Sequence, residues 1–242
     1  MDAPLLPSLA RVVRGLSAIF WGLPLAVLAA AKTALGESPR MFPGGMSLGP
    51  GDWGRVLGDT LAGSFMALVA AGLVCHGLRQ LVRFQEQERI WISAVNRASL
   101  AALLVLGLLP FAYWWSRFPS QPLFERGIAL LFVSGIAFGL ALNHVLVRLA
   151  AMLPDVILRQ DSRLLSRINR TLLVFLLVFA VLDGWLHRGM SRLPETWVRL
   201  LLELHELRFV VLLLGALIPM ALTMTLLWKS KETIIAGVFR NR

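Results

Sequence analysis

The chain has 242 residues, of which 57% are hydrophobic and 16% are charged, and its mean hydropathy is +0.71. This composition is too apolar for a soluble globular protein and predicts an all-α polytopic membrane protein. The formal net charge of +10 does not indicate a nucleic-acid partner, because the basic residues lie in short segments between apolar runs. The single cysteine, Cys75, excludes an intrachain disulfide and a cysteine-rich metal site.

Six stretches of the chain are apolar over lengths that suit a transmembrane helix, which needs about 20 residues. They are residues 15–35, 60–78, 98–115, 127–146, 171–185 and 209–228. The first stretch follows two arginines and also resembles a cleavable signal peptide, but its apolar run is long for such a peptide. We therefore predict one membrane domain, residues 1–242, with six transmembrane helices.

Small and flexible residues are concentrated in one loop and in two of the predicted spans. Residues 36–59 are rich in glycine and proline, which predicts an irregular loop outside the bilayer. The second and fourth spans contain small residues four positions apart, and this spacing predicts a helix face that another backbone can approach closely. The residues predicted to pack helices in this way are Gly63, Ala67, Ala71, Gly135 and Gly139.

The last two spans differ from the others. The fifth is built from leucine, valine and phenylalanine without a small face, so we predict that it faces lipid. A helix that starts near Pro194 continues into the sixth span, and residues 194–228 would then extend about 52 Å. This length exceeds the bilayer thickness, which predicts that the helix either projects outside or breaks near Arg208.

Two polar connections, residues 79–97 and 148–170, are basic and amphipathic and are predicted to be cytoplasmic; the first is predicted to be a helix that lies at the membrane surface. In that helix, arginines would contact anionic headgroups and Trp91 would insert at the acyl boundary. The segment would then either only anchor the connection or also present its acidic residues to a partner protein. The residues predicted to contact lipid or a partner are Arg79, Arg83, Glu86, Glu88, Arg89, Trp91 and Arg97.

The distribution of basic residues predicts the orientation. Fifteen of the 24 Lys and Arg residues lie in the two terminal tails and the two polar connections. The positive-inside rule then puts both termini in the cytoplasm, and we predict a bacterial inner membrane protein. Arg14, Arg97 and Arg170 each precede an apolar span, which indicates either three repeated helical hairpins or a coincidence of common turn residues.

The sequence lacks the usual signs of catalysis. No charged residue lies deep in a span, and there is no phosphate-binding loop, nucleophile elbow or zinc-protease motif. Asp183 lies near the end of its span, where an interfacial anchor is expected. His76 and His144 could share a haem or metal, but satisfied interfacial histidines are commoner. We predict no catalytic residue, no metal and no cofactor.

One segment resembles a known family. Residues 78–96 are similar to the cytoplasmic connection of a bacterial family of inner-membrane proteins without assigned activity, the domain of unknown function 2975. The chain departs from that family at Glu88, where a glycine is usual, at Trp91, where phenylalanine is usual, and in its number of spans. The resemblance implies a small multi-pass protein. The residues that carry the resemblance are Leu78, Arg79, Leu81, Arg83, Phe84, Ile90, Ser93, Ala94 and Asn96.

These observations favour a non-catalytic scaffold, assembly or sensory subunit of a membrane complex, with the bilayer and other protein subunits as partners. The alternative is a permease, because a chain of six spans with both termini inside has the size of the membrane half of an ATP-driven exporter. Residues 79–97 would then serve as its coupling helix. The analogy concerns the fold alone.

Overall fold

The computed structural model describes residues 5–35, 52–85, 87–118, 120–189 and 195–240. These residues form no β-strand and six α-helices: α1 (Leu5–Leu35), α2 (Asp52–Val82), α3 (Arg89–Arg117), α4 (Pro122–Met152), α5 (Val156–Gly189) and α6 (Glu195–Arg240). Each helix contains a stretch that is long and apolar enough to cross a membrane. The prediction of an all-α membrane protein with six transmembrane helices is confirmed.

The helices are longer than the predicted spans. α2 already begins at Asp52, so the end of the predicted loop 36–59 is helical, and residues 36–51 lie outside the described residues. α6 is continuous over 46 residues and is therefore about 69 Å long. The predicted alternative of a break near Arg208 is wrong. Because the hydrocarbon core is about 30 Å thick, α6 must project beyond it.

The prediction that residues 79–97 form a surface helix of their own is wrong, because α2 and α3 extend into them, and α4 and α5 likewise extend into residues 148–170. α2 and α3 are joined by residues 83–88, and α4 and α5 by residues 153–155. Asp155 Oδ1 accepts hydrogen bonds of 2.9 and 3.2 Å from the backbone N–H groups two and three residues later. This carboxylate caps the start of α5, so the chain can reverse within three residues.

The six helices close a ring. Each helix packs against the next one in the sequence, and α1 also packs against α6, where the ring centroids of Phe20 and Trp228 are 5.8 Å apart. Successive helices run antiparallel. The starts of α1, α3 and α5 therefore lie beside the ends of α2, α4 and α6, and we call this side the basic end of the bundle.

Glycines hold α1 against α2. A Cβ atom on Gly15 would lie 2.8 Å from the carbonyl oxygen of Gly77, and one on Gly77 would lie 2.6 Å from that of Gly15. Two turns further along α1, a Cβ on Gly22 would lie 2.8 Å from Val74 Cγ2. Real Cβ atoms do not approach other atoms this closely. Backbone-to-backbone packing therefore joins these two helices, as is common between membrane helices.

The prediction that the fifth span faces lipid is wrong for one side of α5. Leu173 and Leu176 are 7% and 3% exposed. A Cβ on Gly139 of α4 would lie 3.2 Å from Leu173 Cδ1, and one on Gly215 of α6 would lie 2.8 Å from Leu176 Cδ1. The leucines of α5 thus fill the spaces that glycines leave on its neighbours, while the opposite side of α5, including Phe175, is exposed.

The main hydrophobic core lies at the basic end. It joins residues from all six helices, from Val12 and Leu16 in α1 to Leu226 and Ile234 in α6. Trp91, at the start of α3, is completely buried within it. The part of the ring away from this core is less tightly filled.

Candidate functional site

The more open part of the ring surrounds an apolar cavity of about 750 Å³. All six helices contribute to its lining, which is dominated by alanine and leucine and contains no charged residue. On α3 the lining extends from Ala102 to Tyr113, and on α4 from Leu131 to Leu142. Each of these stretches rises about 16 Å along its helix. The cavity is therefore deep enough for an extended dodecyl chain.

Small residues shape this cavity. Ala67, Ala71, Gly135 and Gly139 all line it. A Cβ on Gly135 would have no atom within 4 Å, so the prediction that Gly135 packs two helices together is wrong. Gly139 does take Leu173 of α5 beside it, which confirms a packing role at that position. Gly63 lies in α2, but its surroundings are outside the described residues.

A polar group lies at the cavity wall between α5 and α6. Thr223 lines the cavity, and its Oγ1 accepts a 2.9 Å hydrogen bond from Asn169 Nδ2. The same hydroxyl donates at 2.8 Å to the carbonyl oxygen of Pro219, one turn back. Asn169 is completely buried, and its Oδ1 has no hydrogen-bond partner. Such an unpaired buried acceptor is unusual in a folded protein.

More polar side chains continue from this group towards the basic end. Asn143 Nδ2 of α4 donates at 3.0 Å to the carbonyl oxygen of Ser166, and Asn143 Oδ1 also lacks a partner. Beyond them, Lys229 Nζ and Asp161 Oδ2 form an ion pair at 2.6 Å. Both ions are more than a third exposed, so this link between α5 and α6 adds little to stability.

The residues of segment 79–97 that were predicted to contact lipid or a partner lie in different environments: some are buried and others are exposed. The predicted insertion of Trp91 into lipid is wrong, because Trp91 is buried and its Nε1 donates at 3.1 Å to the carbonyl oxygen of Leu81. Glu88 is half-buried, and Glu86 lies outside the described residues. The four arginines are all exposed around the turn between α2 and α3: Arg79, Arg83, Arg89 and Arg97.

The two histidines considered as ligands are both exposed. The ring Nε2 of His76 lies 3.4 Å from Gln80 Nε2 on the same helix. His144 lies on α4. Among the described residues, no three His, Cys, Asp or Glu side chains are grouped to hold a metal ion.

Comparisons with known proteins assign no relationship: no family model matches the sequence, and neither does any curated protein or solved structure. The resemblance of residues 78–96 to an inner-membrane family stays a prediction. The site is therefore interpreted from its geometry alone.

The residues that make this cavity distinctive carry no recognisable signal in the sequence. Asn169 stands beside Arg170 and is easily taken for part of the polar membrane boundary, and Thr223 is one of several hydroxyl residues in α6. The position of each residue within its own helix does not indicate that the two side chains meet. Only the pairing of α5 with α6 brings these two side chains together.

Proposed function

We propose that this chain is a non-catalytic subunit of the bacterial inner membrane that holds an apolar molecule in its cavity and presents or senses it within a membrane complex. The cavity lined by all six helices is the observation that carries this proposal. Its volume falls in the range of about 300–1,000 Å³ that is typical of small-molecule sites. Its walls contain no charged side chain that would favour a water-soluble ion.

The source of the molecule is the bilayer. A protein interior is normally filled to close packing, and an unfilled space loses the contacts of every atom that lines it. In a membrane, lipid chains are the surrounding solvent, and a flexible chain can restore those contacts. A guest that enters from lipid therefore binds through fit to the cavity rather than through removal of apolar surface from water.

The expected orientation puts both termini and the basic end in the cytoplasm. The exposed arginines around the turn between α2 and α3 would then meet anionic headgroups, each contributing about 1 kcal/mol near a charged surface. We expect reporter fusions placed after Glu125 and after Arg242 to report opposite sides of the membrane. If both fusions report the same side, the proposed orientation fails.

Filling the cavity tests the function itself. Gly135→Phe adds a large side chain where a Cβ meets no atom within 4 Å, so it should occupy the cavity without disturbing the fold. Gly107→Phe is the matched control, because Gly107 has the same free space but does not line the cavity. We expect purified Gly135→Phe to retain at least tenfold less radiolabelled dodecane than the unaltered protein, and Gly107→Phe to retain as much. Equal retention by the two variants would contradict the proposal.

A permease is the second candidate. One observation favours it: the cavity is lined by all six helices and the buried core lies to one side of it, at the basic end, an arrangement expected of one state of a transporter with alternating access. Affinity purification in mild detergent separates the two candidates. Recovery of a nucleotide-binding subunit would support the permease, and recovery of other membrane or cytoplasmic subunits without one would support the first proposal.

A further inference from the structure

We propose that the guest of this cavity is a neutral amphiphile with a hydrogen-bond donor at its polar end, chemically a long-chain alcohol, that Thr223 binds that end, and that Asn169 holds the Thr223 hydroxyl in place. This inference rests on the proposed function. It is based on the hydroxyl group of Thr223, which interrupts a cavity lining that is otherwise almost entirely apolar.

The hydrogen bonds around Thr223 determine which partner is missing. A hydroxyl has one hydrogen and two lone pairs. The hydrogen of Thr223 is directed to the carbonyl oxygen of Pro219, and one lone pair accepts from Asn169 Nδ2. One lone pair of Thr223 remains. Behind it, Asn169 Oδ1 is buried with no partner. Of these two acceptors only the Thr223 hydroxyl belongs to the cavity lining, and the group that complements it is a donor.

The same site disfavours a guest that carries either a negative or a positive charge. A carboxylate would bring a negative charge against acceptor oxygens, and a free ammonium would find no counter-charge in the cavity lining. Lys229 is the nearest described cation along α6, about 9 Å from Thr223 by helix rise. Its ammonium is already paired with Asp161 at 2.6 Å. A neutral hydroxyl satisfies the acceptors without leaving a buried charge.

The polar end should dominate selection between guests. Every molecule in the bilayer core brings an apolar chain, and such chains gain little from leaving lipid for protein. A hydrogen bond formed away from water at Thr223 is available only to a guest that carries a donor. The difference between an alcohol and its methyl ether should therefore be roughly fivefold to tenfold in affinity.

Three probes of equal chain length test this inference on the purified full chain in lipid nanodiscs: dodecanol, dodecyl methyl ether and dodecane. Thr223→Val keeps the shape of the side chain and removes the hydroxyl. Thr225→Val is the matched control, because Thr225 makes the same kind of bond, from its Oγ1 to the carbonyl oxygen of Ala221 at 2.9 Å, but is exposed outside the cavity. Thr223→Ser, which restores a hydroxyl, serves as the rescue variant.

We expect dodecanol to bind the unaltered protein and Thr225→Val roughly fivefold to tenfold more tightly than the ether does. Thr223→Val should lose this preference, and Thr223→Ser should keep it. Equal binding of alcohol and ether by the unaltered protein would overturn the inference even if Thr223→Val does not fold, and so would an unchanged preference in folded Thr223→Val. Failure of all three probes to bind the unaltered protein would instead overturn the proposed function.

Discussion

Replacing Trp91 by alanine is expected to lower the free energy of unfolding by about 3–5 kcal/mol, the cost usual for a large aromatic side chain in a core. Trp91 is completely buried, and its ring packs edge-on against Phe84. Its Nε1 also donates to the carbonyl oxygen of Leu81, in the last turn of α2. The substitution removes core volume and one hydrogen bond at the place where α3 folds back on α2.

Equilibrium unfolding in mixed detergent micelles measures this loss. Trp115→Ala is the control, because Trp115 is 42% exposed near the other end of the same helix. We expect the control to change the free energy of unfolding by less than about 1 kcal/mol. Trp91→Phe should fall between the two, since it keeps most of the ring and loses only the N–H. A similar loss for the alanine variants at both tryptophans would show that Trp91 is not a core residue.

Replacing Gly77 by leucine should force α1 away from α2 and destabilise the protein by at least about 1–3 kcal/mol, the usual cost of overpacking. A Cβ at Gly77 would meet both the carbonyl oxygen of Gly15 and the side chain of Ile19 at 2.6 Å. The carbonyl belongs to the backbone of α1 and cannot move aside alone. The whole helix would have to shift.

Gly72→Leu is the matched control for this change. Gly72 lies on the same helix, and a Cβ there would have no atom within 4 Å. Thermal unfolding of both variants in the same detergent compares them directly. We expect a lower unfolding temperature for Gly77→Leu alone. If Gly72→Leu is equally destabilised, close contact between α1 and α2 is not what makes Gly77 sensitive.

The number and class of the helices could be predicted from the sequence because the bilayer imposes a length of apolar chain on every span. Helix ends were harder to predict. The polar residues 79–97 resemble an independent surface helix, yet α2 and α3 extend into them from both sides. A helix can continue beyond the membrane without a cost in free energy, since water hydrates the polar side chains of its outer turns. Composition therefore marks where hydrocarbon ends and does not mark where a helix ends.

The burial of Trp91 could not be predicted for a related reason. Tryptophan beside arginine is typical of a membrane-interface anchor. The short turn at residues 83–88 brings the start of α3 onto the end of α2, and this geometry buries the indole. Nothing in the local pattern specifies how sharply that turn folds back.

Small residues gave the least reliable prediction, because a glycine serves two opposite purposes in a membrane helix. At Gly15 and Gly77 it lets two backbones touch, whereas at Gly135 it leaves space open. The spacing of Gly135 and Gly139 is the same as that of a packing motif, but only Gly139 meets a neighbouring side chain. Whether a glycine makes a contact or leaves a cavity depends on where the neighbouring helix lies. A single sequence does not specify that position.

The three-hairpin repeat stays a prediction.

The most direct test of the central claim, that the cavity holds an apolar guest, is photolabelling in lipid vesicles with a dodecyl chain that carries a diazirine. We expect labelled peptides from the cavity wall around Ala71, Gly135 and Met220, together with peptides from exposed faces such as that of Phe175. Excess dodecane should remove the cavity labels and leave the label at Phe175. Labelling confined to the exposed faces, with none on the cavity wall, would contradict the account.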